Sequence, residues 1–404
     1  MGKKINMKIN LEKLLKNKAK TVSESTPRIF DLKKPADHRK LNELFASHAI
    51  QHVVDDYKEQ QHELFAFNNP TVVYGPNFKA EFEKYFNHLG KITPLERHGK
   101  WVYFPWISTL VHILDDKDFQ SVRTSRNRNL INREEQEKFY NAVVGIGGLS
   151  IGNSVALAIV LQGGAKHIRL ADFDRLALSN TNRIRAGVDS LGVNKVEMTA
   201  RQIYLLNPYA TVELFSSGLT KGNINKFFDG PPKLDIVIDE LDNIAIKLLI
   251  REEAKKHKIA VVMAADNGDN AVVDVERYDL SPATPFFHGR IGKVTYEQLL
   301  NLDKFNIGKT ITKHIGPENV TPKMQESLLQ MGKTIVSWPQ LGGAALLNGS
   351  AVAYCVRRIL NGQPLEKNRA LVSLDEKLIP NYNSASEKKK RLKIAQGFKK
   401  IFGL

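Results

Sequence analysis

The chain predicts an α/β fold, a Rossmann-like doubly wound sheet preceded by a small N-terminal α+β domain. From Ala142 onward apolar strand signals alternate with helical ones, an order that calls for a largely parallel sheet covered on both faces. The first of these strands runs into Gly145-Ile146-Gly147-Gly148-Leu149-Ser150, and the next ends in Asp172-Phe173-Asp174. A glycine turn and a strand-end carboxylate in that order are the outline of a nucleotide crevice at a topological switch point.

Taken in chain order, residues 1–35 are Lys-rich and carry Ser23-Glu24-Ser25-Thr26-Pro27, which reads as a basic, flexible arm. Residues 36–67 and 76–89 have helical apolar spacing, with Phe78, Phe82, Tyr85, Phe86 and Leu89 on one stripe. Ile92–Leu95 and Trp101–Trp106 flank Arg97-His98-Gly99-Lys100 as the arms of a hairpin. Residues 36–120 are therefore expected to form a small, winged-helix-like domain. In residues 121–365, strands are expected at Ala142–Gly145, Ile168–Asp172, Val212–Phe215, Asp235–Asp239, Ile259–Ala264 and Ala271–Arg277. Helices are expected at Ser150–Gln162, Lys195–Asn207 and Ile244–Lys256. Residues 285–337 break the rhythm and read as an insertion of short helices and loops. A last helix at Gly343–Leu360 is closed by Asn361-Gly362 and Pro364, a helix-stop sequence. In the extension 366–404, Ile394, Phe398, Ile401 and Phe402 share a helical face ringed by lysines. Such a basic amphipathic helix docks on a membrane surface or a partner, or folds back on the body. Leu11, Leu14 and Leu15 give the N-terminal arm the same choice.

Of 404 residues, 42% are hydrophobic and 25% charged, within the range of soluble globular chains. Unbroken apolar runs such as Val155 to Leu161 are too short to span a bilayer, and no apolar segment follows the first lysines. A cytoplasmic location is expected. The net charge of +16 is concentrated at the ends: residues 1–20 carry seven Lys and one Glu, and residues 387–404 six Lys, one Arg and one Glu. A nearly balanced body does not describe a nucleic-acid-binding surface. The single cysteine, Cys355, excludes an internal disulfide and a paired-cysteine zinc site.

The chemistry concentrates around the glycine turn. Glycines let backbone approach a phosphate, and a helix N-terminus offers unpaired N–H groups. A carboxylate at the tip of the second strand is placed for ribose hydroxyls, a role open to Asp172 or Asp174. Downstream stand Ser179-Asn180-Thr181-Asn182-Arg183, Gly192-Val193-Asn194-Lys195 and Asp239-Glu240-Leu241-Asp242-Asn243; upstream stands Arg123-Thr124-Ser125-Arg126-Asn127. In this order the motifs resemble the signature of the ThiF/HesA/MoeB family of ubiquitin-activating-like adenylyltransferases, over residues 123–280, with 343–362 similar to its C-terminal helix. Judged singly, Arg183 reads as a surface ion-pair partner and Lys195 as an ordinary first-turn lysine; together they are the fixed positive charge that nucleotidyl transfer needs.

The resemblance implies ATP and Mg²⁺ as cofactors. It implies Gly145, Gly147, Gly148, Asp172, Asp174, Ser179, Asn180, Asn182 and Asn243 on the nucleotide, and Arg126, Arg183, Lys195 and Asp242 in catalysis. Asp242 would hold the metal, and Arg126 would reach the site of a second subunit in a homodimer. Asp239 reads as a strand-end cap and stays outside the site. The sequence departs from the family at Ser150 and Ile184, which stand for a glycine and a glutamine, and it lacks both zinc-binding cysteine pairs and the thioester cysteine. Cys355 lies in an apolar helix, and Ser281–Gly292, where the thioester cysteine is kept elsewhere, offers only His288. An acyl-adenylate that is not passed to an enzyme thiol is therefore expected, on a peptide or small protein. The alternatives are a tRNA-modifying dehydratase of the same family, which the Asn180-Thr181-Asn182-Arg183 wording favours, and a non-catalytic nucleotide-binding scaffold.

Overall fold

A computed structural model of the chain describes residues 24–365 and 368–404; the leucine-bearing stretch of the N-terminal arm lies outside them. The chain divides into two compact units, Met1–Arg123 and Thr124–Leu404.

The first unit holds β1 (Arg28–Phe30), α1 (Pro35–Ala46), β2 (His52–Asp55), α2 (Tyr57–Asn68), α3 (Phe78–Ile92), β3 (Lys100–Phe104), β4 (Thr109–Ile113) and α4 (Asp116–Arg123). Its sheet has the order β1-β3-β4-β2, with β2 parallel to β4. The expected hairpin exists but sits one strand later. β3 pairs antiparallel with β4 across the turn at Pro105–Ser108, where Ser108 adopts φ +50°. Ile92–Leu95, expected as its first arm, instead closes α3 and enters a 3₁₀ turn. Arg28–Phe30, read as part of the arm, pair with Trp101–Tyr103 and bury Phe30. His112 on β4 is stacked between Tyr57 and Trp101, at 4.1 and 4.3 Å between ring centres. Its Nδ1 lies 3.0 Å from Asp55 and its Nε2 2.8 Å from the His98 carbonyl, so both ring nitrogens have partners.

The second unit follows the sequence closely. Its elements are α5 (Arg133–Asn141), β5 (Val143–Gly147), α6 (Ile151–Leu161), β6 (His167–Ala171), α7 (Lys195–Leu206), β7 (Thr211–Phe215), α8 (Ile224–Asp229), β8 (Ile236–Asp239), α9 (Ile244–His257), β9 (Ala260–Asn267) and β10 (Asn270–Arg277). There follow α10 (Tyr296–Leu300), α11 (Lys304–Ile315), α12 (Pro322–Gln330), α13 (Gly342–Leu360), β11 (Arg369–Val372), α14 (Leu374–Leu378) and α15 (Ala385–Phe402). The seven-stranded sheet has the order β11-β10-β9-β8-β5-β6-β7. β7, β6, β5, β8 and β9 run parallel, while β10 and β11 turn antiparallel.

Val143, Val144 and Ile146 are buried, as a central parallel strand covered on both faces requires. Side chains fix the helix starts. Asn132 and Glu135 form a reciprocal capping box on α5, and Asn194 and Asn243 cap α7 and α9.

The insertion 285–337 packs as short helices. Phe287, Ile291 and Leu299 bury against Ile244, Ala245 and Leu248 of α9. The C-terminal extension contributes β11, which sequence spacing did not announce, to the sheet edge. Its final helix divides the face expected to be continuous: Phe398 and Phe402 bury against Ile315, Val320, Met324 and Leu328, while Ile394 and Ile401 stay exposed. Of the docking choices left open for this helix, the body takes the two phenylalanines. Among the described residues no helix is long and apolar enough to cross a membrane.

Truncating a buried Phe costs about 3–5 kcal/mol. Phe398→Ala should therefore lower the urea-unfolding free energy by about that amount, and a variant with unchanged midpoint would show that the helix does not dock.

Candidate functional site

The crevice opens where β5, β6 and β8 end together. The chain leaves β5 through Gly148, whose φ is +85° and whose Cβ position would stand 2.2 Å from the Glu240 carbonyl oxygen. Only glycine allows the turn to pass so close to the end of β8. Gly145 has a different reason. A Cβ there would meet Leu234 at 2.7 Å and Phe227 at 2.8 Å, so this glycine lets strand and core approach and faces packed side chains.

The turn is held by Asp172. Its Oδ2 accepts the Leu149 N–H at 2.7 Å, and its Oδ1 accepts the Asp174 N–H at 2.8 Å. Lys195, the first residue of α7 and itself buried, donates to Asp174 at 2.8 Å and stands 4.0 Å from Asp172. Burial raises the Asp172 carboxyl above its usual value, against the pull of Lys195 and the two backbone N–H groups. Asp172 thus anchors the glycine turn, whereas Asp174 is half exposed at the mouth of the crevice.

The loop after β6 carries Ser179, Asn180, Asn182 and Arg183. Asn180 accepts the Ala177 N–H at 3.0 Å and shapes the turn. Arg183 donates through Nε to the Ser150 hydroxyl at 2.9 Å, and through Nη1 to the Asn182 side chain at 3.0 Å and the Ser179 carbonyl at 3.2 Å. Ser150, in place of the usual glycine, therefore locates the arginine at the head of α6. Burial lowers the Arg183 guanidinium, and Asp266 and Asp242 oppose that shift. A cavity of about 300 Å³ lies beside it, lined by Thr181–Ala186, Gly342 and Leu346.

Past β8, Asp242 is exposed and Asn243 is occupied in capping α9, accepting the Ala245 and Ile246 N–H groups at 3.0 and 3.1 Å. Gly147, on the other side, packs against Leu241. Asp239 lies outside the crevice in a wholly buried ionic network. Arg251 bridges it at 2.6 Å to Glu276, also at 2.6 Å, and Lys247 approaches it at 3.2 Å. Burial pushes Asp239 up, but Lys247 and Arg251 outweigh it and hold the carboxylate below its ordinary range.

Arg126 is exposed in a 3₁₀ turn ahead of α5 and is not gathered into the crevice of its own chain. Among the described residues no cluster of three His, Cys, Asp or Glu side chains could hold a metal by itself. Asp242 alone fits Mg²⁺ of the kind bound by one or two carboxylates together with the phosphates of a nucleotide.

Asp266, which sequence spacing did not mark, stands at the end of β9 beside the crevice. It is buried and accepts from Gln340 at 2.9 Å and from Asn348. His288 is held by the Val275 carbonyl and Asp274 at 3.1 and 3.0 Å, and Asn368 lies 3.1 Å from its other ring nitrogen; it is a structural residue. Cys355 lines a separate, largely apolar cavity of about 630 Å³ between α13 and the β10–β11 edge. Burial pushes its thiol up to about 11, with Arg358 opposing, so it is protonated near neutral pH.

A parallel sheet with a glycine turn, a strand-end aspartate and a nearby arginine and lysine has the architecture of the Rossmann class. Residues 124–289 match the model of the ThiF family. An uncharacterized protein of Mycobacterium tuberculosis is 38% identical over 284 residues, 70% of this chain and 39% of that protein. The tRNA threonylcarbamoyladenosine dehydratase 2 of Saccharomyces cerevisiae is 30% identical over 36% of this chain and 33% of its own. The tRNA threonylcarbamoyladenosine dehydratase of Bacillus subtilis is 28% identical over 43% of this chain and 68% of its own. The chain thus spans about two fifths and one third of the length of the first two. Among solved structures, E. coli MccB with ATP has 20% identity and a TM-score of 0.44, covering 65% of this chain and 77% of that one.

Two outcomes are expected. Gly148→Ala should abolish ATP retention in equilibrium dialysis while leaving the far-ultraviolet spectrum intact, because the clash is confined to the turn. A maleimide should label Cys355 slowly near neutral pH and faster as pH rises toward about 11; fast labelling at neutrality would mean a thiolate.

Proposed function

We propose that the chain is an ATP-dependent adenylyltransferase that activates a carboxylate as an acyl-adenylate and releases pyrophosphate, with a peptide or small protein as substrate. The observation that carries this reading is the placement of Arg183 on the Ser150 hydroxyl after the glycine turn and of Lys195 beside Asp172 and Asp174. A carboxylate oxygen attacking the α-phosphorus approaches an anionic centre. The new P–O bond forms as the bond to the β-phosphate bridge breaks, and both partners gain from fixed positive charge. Arg183, located by Ser150, and Lys195, poised between Asp172 and Asp174, supply that charge. Asp242 is the residue to hold Mg²⁺, which neutralises the phosphates. Gly147, Gly148 and the head of α6 receive the phosphates; Asp172 or Asp174 meets the ribose, with Ser179, Asn180, Asn182 and Asn243 completing the wall.

Cys355 is half-buried and protonated, which supports release or direct trapping of the adenylate without an enzyme thioester. The exposed Arg126 supports a homodimer in which it serves the second subunit. The Met1–Arg123 unit then acts as a substrate clamp or a dimerisation domain, and the lysines of α15 are available to a partner or membrane surface. A second reading, a tRNA-modifying dehydratase in the cytoplasm, draws on the two dehydratase relatives and shares the same adenylation step.

Mg²⁺-dependent ATP–pyrophosphate exchange, driven by host lysate that is untreated, protease-treated or RNase-treated, tests both. Loss with protease supports the peptide or protein substrate, and loss with RNase supports the dehydratase. Binding of ATP with no exchange in any portion would leave a scaffold. Asp242→Ala should abolish exchange in a folded protein; unchanged exchange removes Asp242 from the mechanism.

A further inference from the structure

Asp266 closes a chain of hydrogen bonds that ends on Arg183. The Gln340 side chain donates to Asp266 Oδ2 at 2.9 Å, and the Gln340 carbonyl accepts from Asn182 Nδ2 at 2.8 Å. Asn182 Oδ1 in turn accepts from Arg183 Nη1 at 3.0 Å. Asn348 of α13 holds the other oxygen of Asp266. Three segments distant in sequence therefore meet here: the end of β9, α13 with the residues that lead into it, and the loop after β6. The packing is close, since a Cβ at Gly342 would stand 2.5 Å from the Asn182 carbonyl oxygen. A carboxylate beside an anion-binding crevice repels phosphate by simple electrostatics, so its place there calls for a different account.

We propose that Asp266, acting through Gln340 and Asn182, is a positioning residue that sets where Arg183 stands against the nucleotide phosphates. The inference rests on the nucleotide-site reading above and adds a residue to it. The groups facing Asp266 are the Arg183 guanidinium from the β6 loop, the Glu240 carboxyl from the end of β8, and the Gln340 and Asn348 amides. Burial pushes the Asp266 carboxyl up to about 6, with Gln340, Asn348 and Arg183 opposing. Burial also raises the Glu240 carboxyl well above its usual value. Above about pH 6 Asp266 is an anion that accepts both amides; below it, protonation removes one acceptor site and the attraction to Arg183.

The test is the affinity for Mg²⁺–ATP, read by equilibrium dialysis on the full chain at about pH 8 and about pH 5. Hydrogen bonds to a charged group are worth enough that Asp266→Asn should weaken ATP binding about tenfold at the higher pH. At the lower pH wild type and variant should bind alike, because the protonated acid resembles the amide. Gln340→Ala should weaken binding in the same direction without any change of charge, and it covers the case in which Asp266→Asn does not fold. In an Arg183→Ala background, Asp266→Asn should have no further effect. Tighter or unchanged binding by Asp266→Asn at the higher pH overturns the proposal, since that is what removal of a bystander anion gives. A loss that adds fully to that of Arg183→Ala, or that is equal at both pH values, overturns it as well. If the wild-type chain binds no ATP, the nucleotide-site reading itself falls, a result distinct from the others.

Discussion

The crevice depends on one carboxylate. Asp172 ends the second strand and spends both its oxygens on backbone N–H groups, one in the glycine turn and one in its own loop. A buried carboxylate is stable only when paired or hydrogen-bonded. The same requirement draws Lys195 in and thereby fixes the start of α7. Turn, second strand and third helix are thus set by one desolvated charge and its partners. The crevice thus rests on a frame whose polar groups are already satisfied.

A second frame stands behind it. Arg251, buried between Asp239 and Glu276, joins α9 to the end of β8 and to β10, tying the parallel strands to the antiparallel edge. Asp274 does the same further out. Burial alone would raise its carboxyl, but His288, Arg369 and Arg290 surround it and hold it well below the usual range. These contacts link β10 to β11 and to the segment after it, so ionic clusters fasten the end of the domain that a chain without cysteine pairs has to close by packing.

Much of this was legible in the sequence. β5, β6, β8 and β9 were visible because a strand buried on both faces is a near-continuous apolar run. β2 was hidden because all four of its residues are exposed at an edge, so no burial pattern marks it. β11, Arg369-Ala-Leu-Val, is short and opens on a charge whose partner, Asp274, lies 95 residues away. Within the site, the glycines, Asp172, Arg183 and Lys195 could be found because local motifs hold them. Asp266 could not, since its amide partners are 74 and 82 residues distant and only tertiary packing brings them together. Asp239 reads from sequence as a strand-end cap outside the site, and the physical reason for its exclusion is Arg251, buried beside it at 2.6 Å.

The last strand of the sheet has a consequence for how the chain is made. β11 comes from the C-terminal extension and pairs with Ala271–Asp274, half of the eight-residue β10. During synthesis the rest of the sheet emerges first, and β10 presents unpaired backbone groups until the extension follows. An open strand edge is a site for pairing with another chain. The interval between translation of β10 and β11, in which the insertion and α13 are made, is therefore the period when a nascent chain is most exposed to misassembly and to capture by chaperones.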